Sequence, residues 1–146
     1  MSDTTTAQFG DAARFGDACE LLIYAELTLA GIPAYRNPQG LPSYDLLAET
    51  SNGWAKISVK GLRAGHGQSA SYWRFKPDGW DWLALVRFNT ENGTRDFFIL
   101  PREKALELSK PDERRGTRHI NYSDSRLQAY RFIGTISLSR KCGAGR

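Results

Sequence analysis

The chain has 146 residues, 40% of them hydrophobic and 25% charged, with 20 Lys+Arg against 16 Asp+Glu for a net charge of +4. That is one domain's worth of ordinary globular sequence, too apolar for a disordered chain and large enough to fold without a disulfide or zinc staple. The basic surplus fits a polyanion partner without requiring one. No apolar run approaches the roughly 18 residues of a membrane span and no signal-peptide architecture is present, so a cytoplasmic location is expected.

Residues 1–10 are small and polar and read as a flexible arm. A helix is expected from about Asp11 to Ala30, with an apolar stripe at Ala18, Leu21, Leu22, Ala25 and Leu29 and Gly31 as its stop. Cys19 lies in this run, where a thiol is usually a small core residue, and Cys142 lies far away in a Gly-rich tail. With only two isolated histidines, His66 and His119, the chain offers no zinc set.

Ile32–Arg36 reads as a short strand, NPQGLPS as a loop, and Tyr44–Glu49 as a second strand that turns at SNG. Trp54–Lys60 alternates, with Ala55, Ile57 and Val59 on one face and Trp54, Lys56, Ser58 and Lys60 on the other. A Gly/Ser-rich loop is expected over 61–71. Trp82–Phe88 is almost continuously apolar, as in a strand covered on both faces, and Asn92-Gly93 turns it into Arg95–Leu100. Pro101–Ser109 reads as a helix. Beyond Lys110 the signal is weak: HINYSD suits a short strand, SRLQAYRFIG a short helix or irregular segment, and 139–146 a basic flexible tail. Residues 11–138 therefore form a single domain of mixed α/β architecture.

Four positions carry candidate chemistry: Glu20 on the first helix, Asp45 on the second strand, and Ser58 and Lys60 on the third. Carboxylates are the hard ligands a divalent cation takes, and a nearby lysine can orient water or balance phosphate charge. Residues two apart on a strand project from one face, so Ser58 and Lys60 address a common side.

The segments FGDACELLIYAELTLAGI, LPSYDLL and KISVKG resemble the three core motifs of the PD-(D/E)xK nuclease superfamily, which includes many restriction endonucleases, Holliday-junction resolvases and some homing endonucleases. The resemblance spans residues 10–61. It implies a restriction-endonuclease-like mixed β-sheet with flanking helices and a divalent-metal-dependent DNA endonuclease. Glu20 and Asp45 would bind Mg²⁺ or Mn²⁺, Lys60 would be catalytic, and Ser58 would take a minor role. Ser58 replaces the acidic residue of the (D/E)xK pair, a departure similar to that of certain homing endonucleases, which carry Gln there. Glu49, on the face of Asp45, is an alternative metal ligand. A homodimer is implied by the resemblance alone, and no small-molecule cofactor is.

Each position has a plainer reading. Asp45 suits a turn cap, Glu20 an ion pair with Arg14 or Arg36, and Lys60 a solvated strand end. Arg63, His66, Arg74 and Lys76, interleaved with Tyr72, Trp73 and Phe75, read equally as DNA-phosphate contacts or as a solvated hairpin with its aromatics in the core. A nuclease-like domain that binds DNA or protein without cutting, and an interaction protein whose charge is incidental, are the alternatives to an enzyme.

Overall fold

The computed structural model describes residues 12–37, 43–68, 70–113, 115–132 and 136–138. The expected arm at 1–10 and tail at 139–146 lie outside the described residues. The elements are α1 (Ala12–Leu29), β1 (Ala34–Arg36), β2 (Leu46–Thr50), β3 (Gly53–Ala64), β4 (Tyr72–Phe75), β5 (Trp82–Asn89), β6 (Arg95–Pro101), α2 (Arg102–Leu108), β7 (Lys110–Asp112), β8 (Thr117–Asn121) and a 3₁₀ helix at Ser125–Tyr130. A five-stranded mixed sheet runs in the order β1-β2-β3-β5-β6, and a three-stranded sheet in the order β4-β8-β7. Only β3 and β5 pair in parallel. Their connection passes through β4 in the second sheet.

Strand β5 explains the layering. Trp82 to Val86 are all buried, and alternate residues enter two different cores. Trp82, Ala84 and Val86 join Ala55, Ile57 and Val59 of β3 beneath α1. Leu83 and Leu85 join Leu62, Trp73, Phe75, Phe98 and Ile120 beneath the second sheet and α2. A strand with both faces covered reads as an unbroken apolar run, as its sequence does.

Helix α1 forms where expected but turns a different face to the sheet. Cys19, Ile23 and Leu27 are its buried residues, whereas Leu21 is 47% and Leu29 80% exposed. Both faces of the helix carry apolar residues, so periodicity alone does not choose between them. The choice follows from fit: Gly61 of β3 lies so close beneath Cys19 and Phe15 that a Cβ there would stand 2.5 Å from Cys19 Sγ. Burial, opposed by the nearby Arg63 charge, pushes the Cys19 thiol up to about 12, so it is a core group and not a nucleophile.

The expected loop at 61–71 is shorter than the sequence implies. Strand β3 runs through to Ala64, and the chain turns at 65–68, where His66 adopts a positive φ of 47°. Trp73 and Phe75 are core residues at 1% exposure each, with the Trp73 indole donating to the Val86 carbonyl at 3.0 Å. At the other end of the main sheet, Tyr35 and Trp54 are 53% and 55% exposed and lean together at 5.7 Å. No described helix is long and apolar enough to cross a membrane.

Candidate active site

Strands β2 and β3 are paired only as far as Leu46 and Ile57. Beyond that point, among the described residues, β3 continues paired with β5 alone, so residues 58–64 have no strand partner on the side where β2 has ended. Asp45 stands at this fork. Its backbone N–H donates to the Ile57 carbonyl at 2.8 Å, and its Oδ2 accepts the Val59 N–H at 2.7 Å. The carboxylate thus takes up a donor that β2 has left behind, and the residue sits across from Ser58. A charge-assisted bond of this kind is worth about 1.5–3 kcal/mol.

Glu20 reaches the same corner from α1. Its Oε1 accepts from the Arg36 guanidinium at 3.3 Å, with the two side chains 23% and 45% exposed. The ion pair expected of a structural carboxylate is therefore present, and Arg36 is its partner. It does not settle the charge. Burial first and the neighbouring Asp45 carboxylate second raise the Glu20 carboxyl above its ordinary range, and Arg36 pulls the other way without prevailing. The two acids are close enough for a hydrogen bond between them to favour the protonated form of Glu20.

Ser58 and Lys60 project from the face of β3 opposite the one that α1 covers, because Val59 and Gly61 between them face the helix. Ser58 is buried at 5% exposure beside Leu83, and Lys60 is partly buried. Among the described residues Lys60 has no ion pair. The candidate site therefore wraps the end of the β2–β3 ladder rather than lying on one sheet face. Glu49 does not join it. Four residues further along β2, paired with Trp54, it stands about 13 Å from Asp45 at strand rise.

The donor set is two carboxylates, hard oxygens of the kind Mg²⁺ and Mn²⁺ accept. Among the described residues no cluster of three His, Cys, Asp or Glu is assembled. Two carboxylates plus waters is nonetheless the usual protein share of a Mg²⁺ site, so the residues fit such an ion.

The basic residues picked out at 63–76 are spread over separate elements. Arg63 lies over the Phe15 ring at 4.8 Å on the α1 side. At the turn after β3, the His66 ring meets Thr90 Oγ1 at 2.7 Å and the His66 backbone N–H donates to the Glu91 carboxylate at 2.9 Å. Arg74 on β4 donates to Asp112 at 3.0 Å, and Lys76 is exposed at the turn that follows. Asp112 also accepts from Thr117 and pairs with His119 at 2.7 Å. Sequence reasoning missed this network because its members come from three strands, two of them too short to be recognised.

Among solved structures, a bacterial homing endonuclease, I-Ssp6803I, matches with a TM-score of 0.53 at 16% identity, over 83% of this chain and 86% of its own. No protein-family model matches the chain, and no curated protein does. The likeness is one of fold: a nuclease-like α/β domain built on a mixed five-stranded sheet with flanking helices.

Proposed function

We propose that the chain is a divalent-metal-dependent DNA endonuclease of the PD-(D/E)xK kind, acting at the fork between β2 and β3. The observation that carries this reading is the convergence of Glu20 and Asp45 from different elements, where burial first and the Asp45 charge second keep the Glu20 carboxyl raised against Arg36. Two clustered acids that stay costly are what a divalent ion relieves. The nuclease-like fold supports the same reading.

In this reading Glu20 and Asp45 are the protein ligands. Val59 fixes one Asp45 oxygen, which orients the carboxylate before any ligand arrives. Bound Mg²⁺ or Mn²⁺ supplies charge neutralisation at the phosphate and a lowered pKa for the attacking water. Lys60, two residues beyond Ser58 along β3, steadies the scissile phosphate or orients the water, and the Ser58 hydroxyl bridges to water. Arg36 yields its hold on Glu20 and becomes available to a DNA phosphate.

A second reading is favoured by Ser58 and by the intact Glu20–Arg36 pair: a nuclease-shaped domain that binds DNA without turnover. Calorimetric titration with Mn²⁺ and Mg²⁺, on the wild type and on Asp45→Ala, with plasmid nicking on the same samples, separates the two. The nuclease reading expects binding that disappears in Asp45→Ala and nicking that disappears with it. A wild type that neither binds nor nicks leaves the binding domain. Binding that survives in Asp45→Ala moves the site elsewhere.

A further inference from the structure

Asp45 follows an uncommon stretch of backbone. Ser43 has a φ of 86°, a region that residues with a Cβ seldom occupy. Against it lies Gly79, with a φ of +100°. A Cβ built on Gly79 would fall 2.3 Å from the Ser43 Cβ and 2.6 Å from its Oγ. The two turns therefore meet with no space for another atom.

The turn carrying Gly79 is anchored on its remaining sides. The Trp80 indole donates to the Lys76 carbonyl at 2.7 Å. Arg102 donates to the Pro77 carbonyl at 2.9 Å and to Asp78 at 2.8 Å. Asp81 brackets Lys56 of β3: its Oδ2 accepts the Lys56 N–H, and its own N–H donates to the Lys56 carbonyl, both at 2.8 Å. One short turn thus grips β3 just before Ser58 and Lys60 while abutting the backbone two residues before Asp45.

We infer that the 76–81 turn, through the contact of Gly79 with Ser43, sets the Asp45 carboxylate against β3, making Gly79 and Ser43 positioning residues for the candidate site. Ser43 is pressed into a conformation it would not choose, and Asp45 is delivered to the Val59 N–H at 2.7 Å. A side chain on Gly79 would push Ser43 away and carry Asp45 with it. The consequence for metal binding rests on the proposed function; the placement of Asp45 does not.

The Val59 amide reports that placement without any metal. Its exchange with solvent is to be measured by NMR in the wild type, Gly79→Ala, Ser43→Ala and the double variant Ser43→Gly/Gly79→Ala, with the Leu85 amide of β5 as a reference for global opening. In Gly79→Ala, Val59 is expected to exchange on the order of tenfold to a hundredfold faster relative to Leu85, the worth of one charge-assisted hydrogen bond, while Leu85 itself registers the smaller cost of an Ala at a φ of +100°. Ser43→Ala keeps the Cβ and leaves Val59 protected. The double variant, which removes that Cβ, restores the part of the Val59 protection lost to the clash, while the strain of an Ala at a φ of +100° stays on Leu85. Val59 as protected in Gly79→Ala as in the wild type overturns the inference, and so does a loss shared equally by Leu85 and not repaired in the double variant. Mn²⁺ titration of the same proteins separates this from the function. Val59 responding as expected in a protein that binds no metal keeps the positioning and removes the nuclease reading.

Discussion

Two acidic corners of this molecule are built from similar parts and come out with opposite electrostatics. At Asp112, burial pushes the carboxyl up, but hydrogen bonds from Thr117, Arg74 and His119 more than reverse it and bring it from an ordinary 3.8 to about 2. At Glu20, burial and Asp45 win over a single, half-exposed Arg36, and the carboxyl stays raised. An acid that holds its second sheet together is surrounded until its charge is satisfied. At Glu20 burial and a second acid outweigh the one cation, and the carboxyl is left raised. The same cation–carboxylate pairing occurs in both, so the presence of an ion pair does not distinguish them; the number of donors gathered around each acid does.

Breaking the two corners in turn tests that contrast. Under the proposed function the largest effect is expected at Asp45, where replacement by Ala would remove metal-dependent nicking, an interaction worth several kcal/mol or roughly a thousandfold in rate, while the fold survives. Asp112→Asn, in contrast, lowers the melting temperature by several degrees and leaves metal binding intact. The pH profile carries the sign: a depressed carboxyl stabilises fully above its ordinary 3.8, and that stability is lost as pH falls toward about 2. Melting curves of the wild type should fall through that window, and those of Asp112→Asn should fall less. Ser58→Glu returns a carboxylate to a buried position. Without metal it costs stability, about 1–3 kcal/mol; under the proposed function Mn²⁺ would restore this and nicking would be faster than in the wild type. A domain with no site shows only the cost. The smallest effect is expected from Glu20→Gln. A raised carboxyl weakens the fold at neutral pH, and its penalty fades as pH falls through its pKa, so neutralising it raises the melting temperature slightly at pH 7. Should Glu20→Gln and Asp112→Asn shift stability in the same direction, the contrast fails.

The parts of the fold that could be read from sequence are those whose signal is local. Helix α1, the β2–β3 pair and the β5–β6 hairpin announce themselves by periodicity and by turns such as Asn92-Gly93. The second sheet does not. β4 has four residues and β7 three, too short to show a period, and the partner of β4 lies more than forty residues away. The face of α1 was equally hidden, because Leu21 and Leu29 look as fit for a core as Ile23 and Leu27 until Gly61 opens a seat for Cys19. At the candidate site, Glu20 and Asp45 were legible from their elements and spacing, and they do meet. The Val59 N–H, the choice of Arg36 over Arg14 for the contact at Glu20, and the buttress at Gly79 were not, since each depends on how distant segments approach. Glu49 failed for a simpler reason: sharing a strand face does not bring residues together when four residues separate them.

The exposed ring of Trp54 gives this protein a spectroscopic handle. Trp73, Trp80 and Trp82 are sealed at 1%, 3% and 6% exposure, and Trp54 alone of the four tryptophans stands open, at 55% and against Tyr35. A water-borne quencher such as acrylamide or iodide therefore darkens one indole and spares three. The quenchable fraction of the native emission reports on the outer face of β3, the strand that also carries Ser58 and Lys60, without a label and without changing a residue.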